Sequence, residues 1–423
     1  MELLRIYGSR RFEMSKILAP VAVVLIAGIC AGGPFTVRAA APAGPTVSAA
    51  AMKPLSEANS ALDAKKYDEV ISLSKEALAI PAKSPFDTFV AYQFLATAYA
   101  QKKNITEQLE AMQGQVDSGI PQGAARTKII KDMARIAYEA NNNSKAEEYG
   151  SQLIKDGATD AGTYMLVGHS MYRQGKNADA AKLLSAHVAE QVSLGKVPSE
   201  QILQVLVAAQ DKSGDHPGVT DTLERLVTHY PKVDYWRLAL QDASRDLKLS
   251  DRQTLQLYRL RMATETLSLC AELRGVADLL TRAGLFGEAQ RVIESGIGSK
   301  LCAEKADQDA LQQSLTAASS AALRARAELK GLETEAKSSS AGEVEAVLGA
   351  SLFGFGEFAK SAEVLARAIG KGGIKNLIDS QFLLGIAQFR AGDKTAAAKT
   401  FQEIKTDDPF YARLARLWAL QVR

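Results

Sequence analysis

The pattern of apolar positions predicts pairs of antiparallel helices, marked by a glycine that is followed twelve residues later by an alanine. Gly168 with Ala180 and Gly385 with Ala397 are the clearest pairs. A small residue near the middle of the first helix and another early in the second let the two helices approach closely. An isolated hairpin would expose one apolar face to solvent. The pattern therefore predicts that neighbouring hairpins stack and that their interfaces stabilise the fold.

This spacing resembles that of the tetratricopeptide repeat family, whose unit has about 34 residues. The best copy contains Tyr164, Val167, Gly168, Met171, Gly175, Ala180 and Leu184. Nine units are indicated by their alanine-type markers, which are Val70, Gln108, Ala146, Ala180, Val219, Thr254, Ala289, Ser361 and Ala397. The resemblance covers about residues 51–411. It implies an all-α, tetratricopeptide-like solenoid of helical hairpins, or superhelix, with a C-terminal capping helix.

Two stretches depart from the regular spacing. Markers Ala289 and Ser361 are 72 residues apart, about two unit lengths, and residues 304–341 between them lack the motif. This stretch is either a degenerate repeat or a helical insertion. We therefore predict about seven units over 54–303 and two units plus the capping helix over 342–423. An apolar stripe at helical spacing indicates the cap, the alternative being an exposed aromatic tail; its members are Phe410, Leu414, Leu417, Trp418 and Val422.

The N-terminal residues have the pattern of an export signal. Arg10, Arg11 and Lys16 precede an apolar run over 17–31, and small residues around Ala39 resemble a cleavage site. We expect a signal peptide over 1–39, with translation beginning at Met1 or Met14, and a flexible Ala- and Pro-rich linker over 40–53. The run of about 15 residues is too short for a comfortable membrane span. The sequence thus predicts a periplasmic or secreted protein without a stable membrane span after cleavage.

Charge and chemistry exclude several classes of function. The chain has 51 basic and 48 acidic residues, and removal of residues 1–39 leaves 46 of each. A neutral mature chain lacks the broad positive field that nucleic acid binding needs. The four histidines show neither metal-ligand spacing nor a catalytic partner pattern; they are His169, His187, His216 and His229. We predict a protein that is not an enzyme and that binds no metal or cofactor.

The family resemblance also implies where a partner binds. Tetratricopeptide grooves are lined by fixed positions of the first helix, and in the third and fourth units these positions include Lys128, Lys131, Asp132, Arg135, Tyr138, Glu139, Met165, His169, Tyr172 and Arg173. The four basic residues would form an aromatic-bordered patch for a carboxylate or an acidic segment. Alternatively, the basic side chains pair with Asp132 and Glu139 at helical spacing, and His169 is a packing residue. A second candidate groove contains Phe353, Phe382, Ile386 and Phe389.

Cys270 opens the first helix of one unit and Cys302 follows its second helix. Those ends are neighbours in an antiparallel hairpin, so export to an oxidising compartment favours a disulfide, the alternative being two buried thiols.

The resemblance as a whole implies a non-catalytic scaffold or adaptor that binds a protein or peptide in its concave groove. Similar exported proteobacterial proteins are envelope components, some of them associated with TonB-dependent uptake. The alternative function is a structural or envelope-assembly component that uses the solenoid edge or residues 304–341.

Overall fold

The computed structural model describes residues 45–299 and 301–423. The predicted signal peptide and residues 40–44 of the predicted linker lie outside this range. The described residues form twenty helices without a strand, which confirms the all-α, tetratricopeptide-like fold. None of these helices combines the length and the apolar character needed to cross a membrane. The chain divides into an N-terminal unit, Met1–Val219, and a C-terminal unit, Thr220–Arg423.

The N-terminal unit is a series of helical hairpins, each of which packs on the next. Its helices are α1 (Ala49–Asp63), α2 (Tyr67–Ala79), α3 (Pro85–Gln101), α4 (Ile105–Asp117), α5 (Gly123–Glu139), α6 (Asn143–Lys155), α7 (Ala161–Arg173), α8 (Asn177–Ser193), α9 (Glu200–Ser213) and α10 (His216–His229), the last of which continues past the unit boundary. The core lies between the helices of successive hairpins and includes Ile130, Met133 and Leu153.

The marker glycines let a large side chain of the second helix lie on the first. A Cβ atom at Gly168 would be 2.6 Å from Leu184 Cδ2, and one at Gly385 would be 2.7 Å from Phe401 Cζ. Both marker alanines, Ala180 and Ala397, are fully buried. The spacing in the sequence thus reports direct contact between the helices of a hairpin.

The first helix begins earlier than the sequence suggested. Residues 49–53 were predicted as part of a linker, but α1 begins at Ala49. The Ser48 side chain accepts a hydrogen bond from Ala51 N at 3.3 Å, and Ser48 N donates to the Asp87 carboxylate at 2.8 Å. An N-cap bonded to the neighbouring hairpin fixes this helix start, so the prediction was wrong for these five residues.

The C-terminal unit contains three hairpins and several further helices. Its helices are α11 (Val233–Ala243), α12 (Asp251–Ala263), α13 (Cys270–Arg282), α14 (Phe286–Gly298), α15 (Lys305–Ser338), α16 (Glu343–Gly354), α17 (Phe358–Lys371), α18 (Leu377–Arg390), α19 (Lys394–Glu403) and α20 (Pro409–Gln421). Residues 304–341 are therefore an insertion built on one 34-residue helix, α15, and not a degenerate hairpin.

Helix α15 joins two separate clusters of apolar side chains. In its first half Leu311, Leu315 and Ala318 pack into the core of the α13–α14 hairpin. In its second half Leu329, Leu332 and Ala336 pack against α16 and α17. Within each half the steps are three or four residues, and the 11 residues from Ala318 to Leu329 make about three helical turns, so the six positions lie on one side of the helix.

The last helix, α20, caps the last hairpin and also packs on the start of the unit. Its predicted stripe is buried, so the alternative of an exposed tail was wrong. The helix contacts α11 and α12 as well as α19. Gln253 of α12 donates to Asp408 at 2.9 Å, and the Gln421 side chain donates to the Ala263 carbonyl at 3.1 Å. Arg413 pairs with the buried Asp242 at 2.5 Å. The C-terminal unit is therefore closed by contacts between its first and last helices.

Candidate functional site

Four of the predicted groove residues meet at one surface formed by α5 and α7. The hydroxyl of Tyr138 and Nδ1 of His169 share a hydrogen bond at 2.5 Å. The His169 ring stacks beside that of Tyr172, with 6.3 Å between centroids, and the Arg173 guanidinium lies 5.1 Å from the centre of the Tyr138 ring. We call Tyr138, His169, Tyr172 and Arg173 the α5–α7 surface.

The hairpin turns place these side chains. Asn141, with φ of 60°, forms the turn after α5, a conformation that asparagine tolerates better than most residues. Its side chain accepts a hydrogen bond from Arg173 at 3.0 Å. Asp160 begins α7 as its N-cap and accepts from the Thr163 amide at 3.1 Å. The turn of one hairpin thus fixes the last residue of the first helix in the next.

Burial decides the charge of the aromatic part of this surface. It lowers the pKa of His169 from 6.5 to about 4, and the positive charge of Arg173 acts in the same direction. Burial also raises the pKa of Tyr138, while Arg173 partly opposes that change. At neutral pH His169 and Tyr138 are therefore uncharged, and Arg173 carries the positive charge of the surface.

The other three predicted basic residues form ion pairs. Lys128 lies 2.9 Å from Asp132, and Lys131 lies 3.2 Å from Asp160. Arg135 pairs with Glu139 at 3.1 Å and with Asp132 at 3.7 Å. These contacts correspond to the alternative of a solvated, ion-paired face. Among the described residues, no carboxylate lies at ion-pair distance from Arg173, so it is the basic residue of the set best able to receive an anion.

The prediction that a partner binds at the second candidate groove was wrong. Phe353, Phe382 and Ile386 are buried in the C-terminal unit, and Phe389 is half-buried. Two of them pack against α20: the Phe382 and Tyr411 rings are 5.6 Å apart, and those of Phe389 and Trp418 are 6.3 Å apart. The guanidinium groups of Arg259 and Arg291 lie over Phe353. The C-terminal unit itself thus fills the surface that was predicted to receive a partner.

Cys270 and Cys302 form a disulfide in the structure, with their Cα atoms 4.9 Å apart. Cys302 is buried and belongs to the core of the α13–α14 hairpin. The bond ties the start of α13 to the segment that leads into α15.

The part of the chain that the structure describes contains no group of three or more His, Cys, Asp or Glu side chains that could hold a metal ion. His187 is buried and stacks on Tyr164 with 4.1 Å between ring centroids. Burial lowers its pKa, so this histidine is a neutral core residue.

Sequence reasoning missed two polar residues that bond to basic residues of the first candidate groove. Asn141 orients Arg173, and Asp160 neutralises Lys131 from the next helix. Their positions immediately after one helix and before another are typical of turns and caps, and this signal could have identified them.

Comparison with known proteins supports the repeat assignment at one place. Residues 379–410, which comprise most of α18, all of α19 and the start of α20, match the family model described as tetratricopeptide repeat. No curated protein matches the chain in sequence. Among solved structures, the chain is similar to a chain of "Structure of Naa15/Naa10 bound to HypK-THB", with 14% identity and a TM-score of 0.27. This similarity covers 85% of the present chain and 63% of the other, and so low a TM-score does not establish a common fold. The α18–α19 hairpin is thus similar in sequence to a tetratricopeptide repeat.

Proposed function

We propose that this protein is a non-catalytic scaffold that binds a protein or peptide segment across the α5–α7 surface. The observation that carries the proposal is the contact between side chains of two successive hairpins at this surface. Its aromatic rings are held by packing and by the hydrogen bond between Tyr138 and His169. Rigid aromatic side chains next to an arginine are typical of residues that dominate binding energy at protein interfaces.

The partner's binding segment would carry a carboxylate. Arg173 is exposed, and Asn141 and the Tyr138 ring hold its guanidinium in place. A fixed guanidinium loses little conformational freedom when a carboxylate binds, and two parallel hydrogen bonds can form. Tyr172, which is half-buried, would contact an apolar part of the same segment.

Affinity measurements on matched variants test this surface. The partner is first identified by pull-down from an envelope extract with mass spectrometry, and is then purified. Replacement of Tyr172 and Arg173 by alanine should weaken its affinity at least about tenfold, since a hydrogen bond to a charged group contributes roughly 1.5–3 kcal/mol. Arg135→Ala is the control because its guanidinium is already paired within α5. Equal affinities of the double variant and the control would place the partner elsewhere.

We also propose that the protein acts in the periplasm, as part of an envelope transport system of the TonB-associated type. The export-signal pattern over residues 1–39 supports the location, and the resemblance to exported proteobacterial repeat proteins supports the context. N-terminal sequencing of the protein from the envelope fraction should find a start close to Ala39. Recovery of an intact Met1 or Met14 terminus in the cytoplasm would contradict the proposal.

A second candidate function is that of an envelope-assembly component that uses α15. The outer face of this helix includes Leu323, whose exposed fraction is 73%, the largest among the exposed apolar side chains of the described residues. Leu323→Ser in the same pull-down distinguishes the two functions. Loss of the partner from this variant, together with its retention by the Tyr172 and Arg173 variant, would favour α15.

A further inference from the structure

Arginine side chains surround the turn between α16 and α17. The Arg291 guanidinium lies 5.0 Å from the centre of the Phe358 ring, and that of Arg390 lies 4.9 Å from the same ring. The Arg326 guanidinium lies 5.2 Å from the Phe355 ring. Together with Arg259, which lies over Phe353, four positive charges from α12, α14, α15 and α18 converge on three phenylalanines.

Two of these four charges are neutralised. Arg259 forms a buried, two-bond pair with Glu288, at 2.9 Å and 2.6 Å. Arg326 pairs with Glu357 at 3.3 Å. Arg291 and Arg390 have no such partner: within the described ranges, no carboxylate lies at ion-pair distance from either guanidinium. The cluster therefore has an excess of two positive charges.

Arg291 is held rigidly without being neutralised. Its Nε donates to the Gly354 carbonyl at 2.7 Å, and its second terminal nitrogen donates to the Phe353 carbonyl at 2.9 Å. These bonds use two of the five N–H donors of a guanidinium, so three remain for another acceptor. Preorganisation of this kind reduces the entropy that a bound group must overcome.

Burial and two neighbouring arginines disfavour the positive charge of Arg291. Burial lowers its pKa; Glu288 and, more weakly, Glu294 oppose this change, whereas Arg390 and Arg259 lower the pKa further. An arginine stays protonated despite such shifts, so repulsion between Arg291 and Arg390 persists in the folded chain. An anion bound by both guanidinium groups would reduce this repulsion.

We propose that Arg291 and Arg390, beside the Phe358 ring, form a binding site for an oxyanion, either a carboxylate or a phosphate. Planar guanidinium groups bind both of these anions through paired hydrogen bonds. Arg390 is exposed and gives access from solvent, while Arg291 supplies the buried side of the site. This site lies in the C-terminal unit and shares no residue with the α5–α7 surface.

Calorimetric titration of the full chain with inorganic phosphate and, separately, with citrate tests the site at fixed ionic strength. The wild-type chain should bind at least one of these probes saturably, and the tighter probe indicates whether the natural group is a phosphate or a carboxylate. Arg390→Gln should weaken this binding about tenfold or more, because charge-assisted hydrogen bonds are lost.

Arg324→Gln is the matched control, since Arg324 is an exposed arginine of α15 and its replacement changes the net charge equally. It should bind the probe as the wild-type chain does. Circular dichroism of both variants checks that the helices are intact. Absence of saturable binding to the wild-type chain, or equal weakening in the two variants, would overturn the proposal.

Discussion

Replacement of one partner of the buried ion pair between Arg259 and Glu288 should destabilise the C-terminal unit strongly. Both side chains are almost fully buried, with exposed fractions of 5% and 4%. In Glu288→Leu the guanidinium stays buried without a counter-charge, and removal of one partner of such a pair costs about 3–5 kcal/mol. With a urea m value of about 2–3 kcal/mol/M, the midpoint of unfolding should fall by about 1–2 M.

Tryptophan fluorescence in a urea titration is the suitable assay, because both tryptophans, Trp236 and Trp418, are buried in the C-terminal unit. The control is Arg282→Met, which breaks the exposed pair between Arg282 and Asp251, whose side chains are 60% and 75% exposed. Exposed pairs contribute about 0–1 kcal/mol, so this variant should unfold near the wild-type midpoint.

A double-mutant cycle then separates the cost of the lone charge from the contribution of the pair. The double variant Arg259→Met with Glu288→Leu should be much closer to the wild-type stability than either single variant, because no charge is left buried. Additive losses in the double variant, or a loss below about 1 kcal/mol in Glu288→Leu, would refute the reasoning.

Three further predictions concern single features of the fold. Gly168→Val should lower the free energy of unfolding by about 1–3 kcal/mol in urea titrations followed by circular dichroism, because its side chain would overlap Leu184. The folded-state pKa of His169, about 4, lies below its ordinary value of 6.5, so the stability it contributes is complete above pH 6.5 and is lost as the pH falls toward 4; thermal melts of His169→Gln should depend less on pH in that range. Serine at both Cys270 and Cys302 should lower the stability by about 3–4 kcal/mol, and thiol labelling of the denatured, unreduced mature wild-type chain should find no free thiol.

The hairpins were predictable from the sequence because their packing is local. Gly385 and Phe401 are only sixteen residues apart, and their contact requires a small residue at one position and a large one at the other. Such contacts leave a regular spacing that can be read directly. The capping helix was predictable for a similar reason, since its apolar stripe lies on one face of one helix.

The closure of the C-terminal unit could not be predicted in this way. Gln256 and Asp379 form a hydrogen bond at 3.2 Å although they are 123 residues apart, and no spacing rule connects them. Because of this closure Phe382, which was predicted to line a groove, lies in the core instead. The apolar pattern showed that Phe382 is buried, but it could not distinguish burial by a partner from burial by α20.

The ion pairs of the first candidate groove were predictable only where both partners lie on one helix. The pairing of Lys128 with Asp132 follows from helical spacing and was anticipated. The pairing of Lys131 with Asp160 depends on the position of the next hairpin, 29 residues away, and was not. The resulting surface depends mainly on Arg173.

The contacts of α20 with α11 and α12 impose an order of folding on the chain. Hairpins of the N-terminal unit contact their neighbours, so each can fold soon after it is synthesised. The polar contacts that fix α12 come from residues 155 and 158 positions later in the chain. Until synthesis reaches α20, the surfaces of α11 and α12 that it covers stay open to solvent and to other chains. The C-terminal unit should therefore fold more slowly than the N-terminal one. During synthesis, the exposed surfaces of α11 and α12 are the ones that a chaperone would bind.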